Sequence, residues 1–203
     1  MARRVYFAGE LFKAQDLIGN TLLAEAIAEA SEGRYACVLP QDLEVDRPRS
    51  QAIRDADLRA LLECDLALFH FDGTELDAGT VTEYLVAKFA DLPAVLLRTD
   101  LRRAGDSDRD PWNLMLGHWP RTRKLVVPAL GLYAASGRDP RQMAKRLARR
   151  VVTALDHAAA AKPVVGMDQA WELLNVLPKL MGLKLTAAEK RRLRRALTRR
   201  FGA

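Results

Sequence analysis

Hydrophobic positions along the chain alternate between two periods. Residues 5–8 are a short β-branched and aromatic run ending at Gly9, after which Leu17, Ile18, Leu22, Leu23, Ala26 and Ile27 recur at helical spacing. Residues 35–39 form a second apolar run, stopped by Pro40. A polar, arginine-containing loop then leads to another helical set, Ile53, Ala56, Leu58, Leu61 and Leu62. Residues 66–71 read as a third strand, 72–79 as a turn-rich loop, 81–89 as a helix and 93–97 as a fourth strand. Unbroken apolar strands suit burial on both faces, and parallel neighbours need crossover helices, which this alternation supplies. The pattern predicts a doubly wound α/β domain with a parallel sheet.

The remainder is less regular. Residues 99–122 hold Trp112 and Trp119 among Asp, Arg, Gly and Pro with weak periodicity, which reads as a long ordered loop before a fifth strand over 125–128. A helix over 142–157 closes the unit, and Pro163 after 158–162 marks the boundary between a domain of residues 1–162 and a helical extension of residues 163–203. In the extension, 168–180 carries Trp171, Leu173, Leu174, Val176 and Leu177 at helical spacing, with Pro178 expected to kink or shorten it. Thr186 and Glu189 stand in capping-box spacing ahead of the stripe Leu193, Leu197 and Phe201.

Composition narrows the classes. With 203 residues, 49% hydrophobic and 29% charged, the chain is too apolar to be disordered and too charged to be fibrous. Two cysteines, Cys37 and Cys64, cannot form a disulfide framework, and no spacing of Cys or His supplies a metal-ligand set, so neither metal nor cofactor is expected. Met1 to Arg4 leads straight into a strand too short for a signal-peptide core or a membrane span, which makes the expected location cytoplasmic. The net charge of +6 is unevenly placed. Seven of the 32 basic residues lie after the last acid, Glu189, so residues 1–189 hold 25 bases against 26 acids, a net charge of −1. Basicity therefore says nothing of the main body's ligand. The basic helix could bind nucleic acid by counterion release, but its apolar stripe favours packing on the protein's own surface.

In an open parallel sheet, ligands bind beyond the carboxyl ends of the strands. Those ends offer Tyr6, Gly9, Glu10 and Phe12; Gln41 and Asp42; and the richest loop, Asp72, Gly73, Asp77, Gly79, Thr80 and Glu83. A carboxylate in a first helical turn feels the positive end of the macrodipole, so Glu83 is expected to stay ionised, as a nucleophile requires. The same spacing has plainer readings. Thr80 and Glu83 fit a capping box, Asp72-Gly73 is ordinary turn chemistry, and Tyr6 suits a core. No G-x-G-x-x-G or G-x-x-x-x-G-K-[ST] sequence is present, which argues against a Rossmann dehydrogenase or a P-loop enzyme. His70, His118 and His157 are scattered and form no triad.

Taken in order, Tyr6-Phe7-Ala8-Gly9-Glu10-Leu11-Phe12, Asp55-Ala56-Asp57-Leu58, Asp72-Gly73, Asp77-x-Gly79-Thr80-x-x-Glu83 and Asn113-Leu114-Met115 resemble the nucleoside 2-deoxyribosyltransferases. The resemblance implies a flavodoxin-like five-stranded parallel sheet and exchange of the base on a 2′-deoxynucleoside through a covalent deoxyribosyl-enzyme. It implies Glu83 as nucleophile, Tyr6 steadying it, Asp77 on the sugar hydroxyl and Asp57 at the base, aiding its protonation. Gly9, Phe12, Gln41, Asp72 and Gly79 would line the substrate site. Asn113 would enter the neighbouring subunit's site, making a homo-oligomer necessary. The expected partners are deoxynucleosides and free nucleobases. Nucleosides are favoured over 5′-phosphorylated substrates because the first loop lacks a serine or arginine cluster. Two alternatives stay open: an N-glycoside hydrolase acting on nucleosides or nucleoside 5′-monophosphates, and a non-catalytic nucleoside or nucleic-acid binder. The sequence departs from the pattern at Glu10 and at Tyr84, Leu85 and Val86, where small residues usually follow the nucleophile. Tyr133 is a candidate for the family's C-terminal tyrosine.

Overall fold

The period-2 alternation within each strand separates two cores. In the computed structural model, which describes residues 2–43, 49–102 and 112–202, five strands form one parallel sheet in the order β2-β1-β3-β4-β5. They are β1 (Arg3–Ala8), β2 (Tyr35–Val38), β3 (Leu66–His70), β4 (Ala94–Arg98) and β5 (Thr122–Val126). Val5, Phe7, Leu66, Leu68, Val95 and Leu97 face helices α1 (Ala14–Ala30) and α6 (Pro140–Ala159). Tyr6, Ala8, Ala67, Phe69, Ala94 and Leu96 face α2 (Ser50–Glu63) and α3 (Ala78–Phe89). The order makes this a doubly wound α/β protein of flavodoxin-like type. The chain reverses direction across the sheet between β1 and β3, and the loops beyond their carboxyl ends part there.

Four elements differ from expectation. β5 begins three residues earlier than predicted and includes Arg123 and Lys124, because an edge strand with an exposed side needs no continuous apolar run. Within the long loop a short helix, α4 (Leu114–Gly117), docks through buried Trp112 and Leu116, while residues 103–111 lie outside the described residues. Another short helix, α5 (Ala129–Ala135), follows β5. Pro178 does not break α7 (Met167–Leu180); it sits buried in the last turn, and Gly182, at φ +69, closes that end.

Helices α7 and α8 (Ala187–Phe201) lie on the α2/α3 side. Leu174, Leu193 and Leu197 pack in the same cluster as Leu58, Leu61 and Leu62 of α2. The Thr186–Glu189 capping box forms as expected. Several tail cations are engaged within the chain: Arg192 pairs with Glu63, Arg199 with Asp65, Arg194 stacks over Trp171, and Arg200 is buried. Among the described residues, no helix is long and apolar enough to cross a membrane.

Candidate active site

Four of the residues singled out by the sequence converge on the α2/α3 face. Tyr6, near the end of β1, is fully buried, and its hydroxyl donates to Glu83 Oε1 at 2.7 Å. Glu83 comes from α3 and reaches back toward the sheet because of how that helix begins. Asp77 is the N-cap: its Oδ2 accepts from Thr80 N at 2.7 Å and from the Thr80 hydroxyl at 2.8 Å. The cap is thus three residues earlier than the Thr80–Glu83 box allowed by spacing, and Glu83, the sixth residue of α3, is free of end-capping duty. A Cβ on Gly79 would stand 3.1 Å from Asp77 Oδ2, so the glycine keeps room beside that carboxylate.

Burial governs the charges here. It raises the Glu83 carboxyl from 4.5 to about 7; the Tyr6 hydrogen bond opposes the rise and the nearby negative charges of Asp57 and Asp77 add to it. Glu83 is therefore harder to ionise than its place in a helical turn alone suggests. A macrodipole contribution of about 0.3–1 kcal/mol, fading after the first turn, is smaller than the burial cost that such a shift expresses. Burial likewise raises Asp57, on α2, to about 6. Burial and the charges of Glu83 and Asp57 hold the Tyr6 phenol well above its usual range, so it acts as a neutral donor. The arrangement is a carboxylate nucleophile candidate, steadied by a phenol, beside a second carboxyl able to carry a proton near neutral pH.

The other predicted residues are not all brought to this cluster. Asp72 belongs to the opposite side: it accepts from Thr99 N, the Thr99 hydroxyl and Asp100 N, and lies 3.0 Å from His70 Nε2. Burial opposes ionisation of Asp72, but the His70 and Thr99 contacts prevail and hold it well below the usual carboxylate range. It ties β3 to β4. Gly9 allows close strand-end packing, since a Cβ there would lie 3.2 Å from His70 Cβ. Gln41 donates to Leu17 O and to the Thr21 hydroxyl, tethering the turn after β2 to α1. Phe12 is 78% exposed. Asn113 caps α4 through its Oδ1, which accepts from Met115 N at 2.9 Å.

Two residues to which the sequence analysis gave no functional role matter to the loops. Arg98, at the end of interior strand β4, is fully buried and donates to the carbonyls of Phe71, Gly73 and Arg102, fixing the loop that leads to Asp77. An arginine closing an apolar interior strand was the available signal, because that residue type is almost never buried unpaired. Tyr84, a departure from the family pattern, is a core ring packed edge-on to Phe69, and its hydroxyl donates to Leu116 O at 2.9 Å. It thereby anchors the segment carrying Asn113. On the α1/α6 side, a cleft of about 600 Å³ is lined by Glu10, His70, Asp72, Arg102, Leu23 and Met143. Among the described residues, no three His, Cys, Asp or Glu side chains gather as metal ligands.

A doubly wound α/β protein with carboxyls clustered near its strand ends belongs to the class of open-sheet proteins that bind ligands at that edge of the sheet. Residues 5–115 match the model of the nucleoside 2-deoxyribosyltransferase family, and the chain belongs to that family. The family places it among enzymes acting on N-glycosidic bonds. Similar solved structures include a conserved protein from Enterococcus faecalis V583, with 32% identity over 54% of this chain and 71% of that one, TM-score 0.47. A 2-desoxiribosyltransferase from Leishmania mexicana has 20% identity over 57% and 86% of the two chains, TM-score 0.46. A CMP N-glycosidase from Clostridium botulinum has 16% identity over 71% and 98%, TM-score 0.46. No curated protein matches the chain significantly.

Proposed function

We propose that the protein transfers a 2-deoxyribosyl group between nucleobases through a covalent intermediate on Glu83. The observation that carries this reading is the Tyr6–Glu83 hydrogen bond beside the carboxyls of Asp57 and Asp77. The ionised Glu83 oxygen attacks the anomeric carbon as the bond to the base nitrogen breaks; the base nitrogen takes the proton of Asp57. The transition state resembles an oxocarbenium ion, which a close carboxylate stabilises before capturing it. An incoming base then attacks the anomeric carbon, releases the Glu83 carboxylate and returns a proton to Asp57. Two inversions give net retention. Asp77 uses Oδ2 for the helix cap, leaving Oδ1 for a sugar hydroxyl.

The productive form has Glu83 ionised and Asp57 protonated, the reverse of their order of titration at about 7 and about 6. Activity should therefore be bell-shaped in pH with its maximum between those values, and the two limbs belong to the pair. Leu114 and Met115, 57% and 73% exposed beside Asn113, support the reading that a second subunit meets this segment and that Asn113 completes a neighbouring site.

The deciding assay incubates a 2′-deoxynucleoside with and without a different free base. New nucleoside appearing only with the acceptor base supports transfer. Release of free base alone would replace transfer with hydrolysis, and neither product would remove the catalytic reading.

A further inference from the structure

Helix α2, which carries Asp57, is bound along its length by the C-terminal extension. At its start Arg54 donates to Met181 O at 3.1 Å. In its middle Arg59 donates to Lys184 O at 3.2 Å and pairs with Glu189 at 3.1 Å. Near its end Arg192 Nε lies 2.8 and 2.9 Å from the two oxygens of Glu63. Beyond it Arg199 pairs with Asp65 at 2.8 Å. The last carbonyls of a helix have no partner within it and carry the negative end of its dipole. Arg200 fills that place: its buried guanidinium donates to Leu62 O and to Cys64 O. The extension is itself anchored at its entry, where Val164 N donates to the buried carboxylate of Asp91 at 2.9 Å.

These contacts alternate with apolar ones. Leu58, Leu61 and Leu62 share a cluster with Leu174, Leu193 and Leu197, so the side of α2 turned to the extension is fixed by packing and by polar bonds together. Asp57 stands between Arg54 and Arg59 on that helix and acts on Tyr6 and Glu83. The residues matched to the family end at 115, so this brace lies outside the shared catalytic segment.

We propose that residues 163–202 are a positioning device for Asp57: by clamping α2 through Arg59, Arg192 and Arg200, they set where the proton-carrying carboxyl meets the leaving base. The inference rests on the role given to Asp57 above. A misplacement of about 1 Å can cost about 10²-fold in rate, so a small shift of α2 is enough to matter. The loss should fall on protonation of the base and spare attack by Glu83, which comes from α3.

The test uses the full chain as wild type, Arg200→Met, the double variant Arg59→Gln/Arg192→Gln and Asp57→Asn. Each is assayed on 2′-deoxyguanosine and its N7-methyl cation or, if pyrimidines are preferred, on thymidine and 5-fluoro-2′-deoxyuridine. The second member of each pair expels its base with less help from an acid. The brace variants should lose about 10- to 100-fold on the first substrate and stay within about twofold on the second, following Asp57→Asn. Arg195→Ala, exposed on α8, should match wild type on both. Arg200→Met leaves two buried carbonyls without their donor; if it does not fold, the double variant at more exposed positions decides alone. Equal losses on both substrates, or no loss in a folded double variant, would overturn the brace. A wild type inactive on every substrate would instead overturn the assignment of the site, and the brace with it.

Discussion

The two faces of the sheet are built from alternate residues of the same strands, yet they bury different things. Toward α1 and α6 the strands send Val5, Phe7, Leu68 and Leu97 into a dry apolar core completed by Leu147, Val151 and Leu155. Toward α2 and α3 the neighbouring positions include Tyr6, and the core there borders the partly buried Glu83 and Asp57. One face gains free energy from burying apolar surface, roughly 25 cal/mol per Å². The other gives some of that up to hold carboxyls whose neutral forms burial favours. Chemistry sits where the fold tolerates this cost, and the helix that carries Asp57 is the one the C-terminal extension binds.

The contrast can be broken most severely at Glu83. Glu83→Ala should lower turnover by more than about 10³-fold while ligand binding persists, and mass spectrometry of wild type with a slow fluorinated deoxynucleoside should find the sugar on Glu83. Label on another residue, or none despite turnover, would sink the covalent scheme. On the opposite face, Leu155→Ala should cost about 3 kcal/mol in denaturant unfolding and leave the pH profile of the folded enzyme unchanged. A shifted profile would mean that the faces are not independent.

Asp57→Asn should reduce kcat/KM by about 10²-fold on bases that need a proton. With position 57 no longer titrating, the alkaline limb should disappear and leave a single acid limb set by Glu83. Glu83→Gln probes the stability side of the same burial. The raised carboxyl favours its neutral form in the folded state, so its stabilising contribution is full below pH 4.5 and is lost as pH rises through about 7. The glutamine variant, with an oxygen still able to accept from Tyr6, should be about 1–3 kcal/mol more stable than wild type at pH 8 and no different at pH 4. Equal stabilities at pH 8 would show that Glu83 is not desolvated. The smallest effect is expected for Tyr6→Phe: losing a bond that lowers the Glu83 pKa should lower the peak, move the alkaline limb upward and cost about 10-fold near neutrality, with less loss at higher pH.

Much of this was legible from local pattern. The strand and helix alternation pointed to the parallel sheet, and the rule that doubly wound sheets bind ligands beyond their strand ends drew attention to Tyr6 near the end of β1 and to Asp77 and Glu83 after β3. Reading stopped where a residue's role depends on distant partners. Asp72 looked like a member of the same loop cluster, but one residue of strand geometry separates the faces, and it bonds to Thr99 and Asp100 instead. Tyr84 looked like a departure, and is the ring that carries the Asn113 segment.

What the sequence by itself determined is the set of elements, their order and the chemical groups at the strand ends, since periodicity and turn chemistry are properties of neighbours along the chain. Only the tertiary structure decided that Asp77 caps α3 and that Glu83 meets Tyr6. The protonation of the two carboxyls and the seating of seven tail cations' helix on α2 were decided there too. Desolvation and ion pairing sum over groups brought together from far apart in the chain, so no local window contains them.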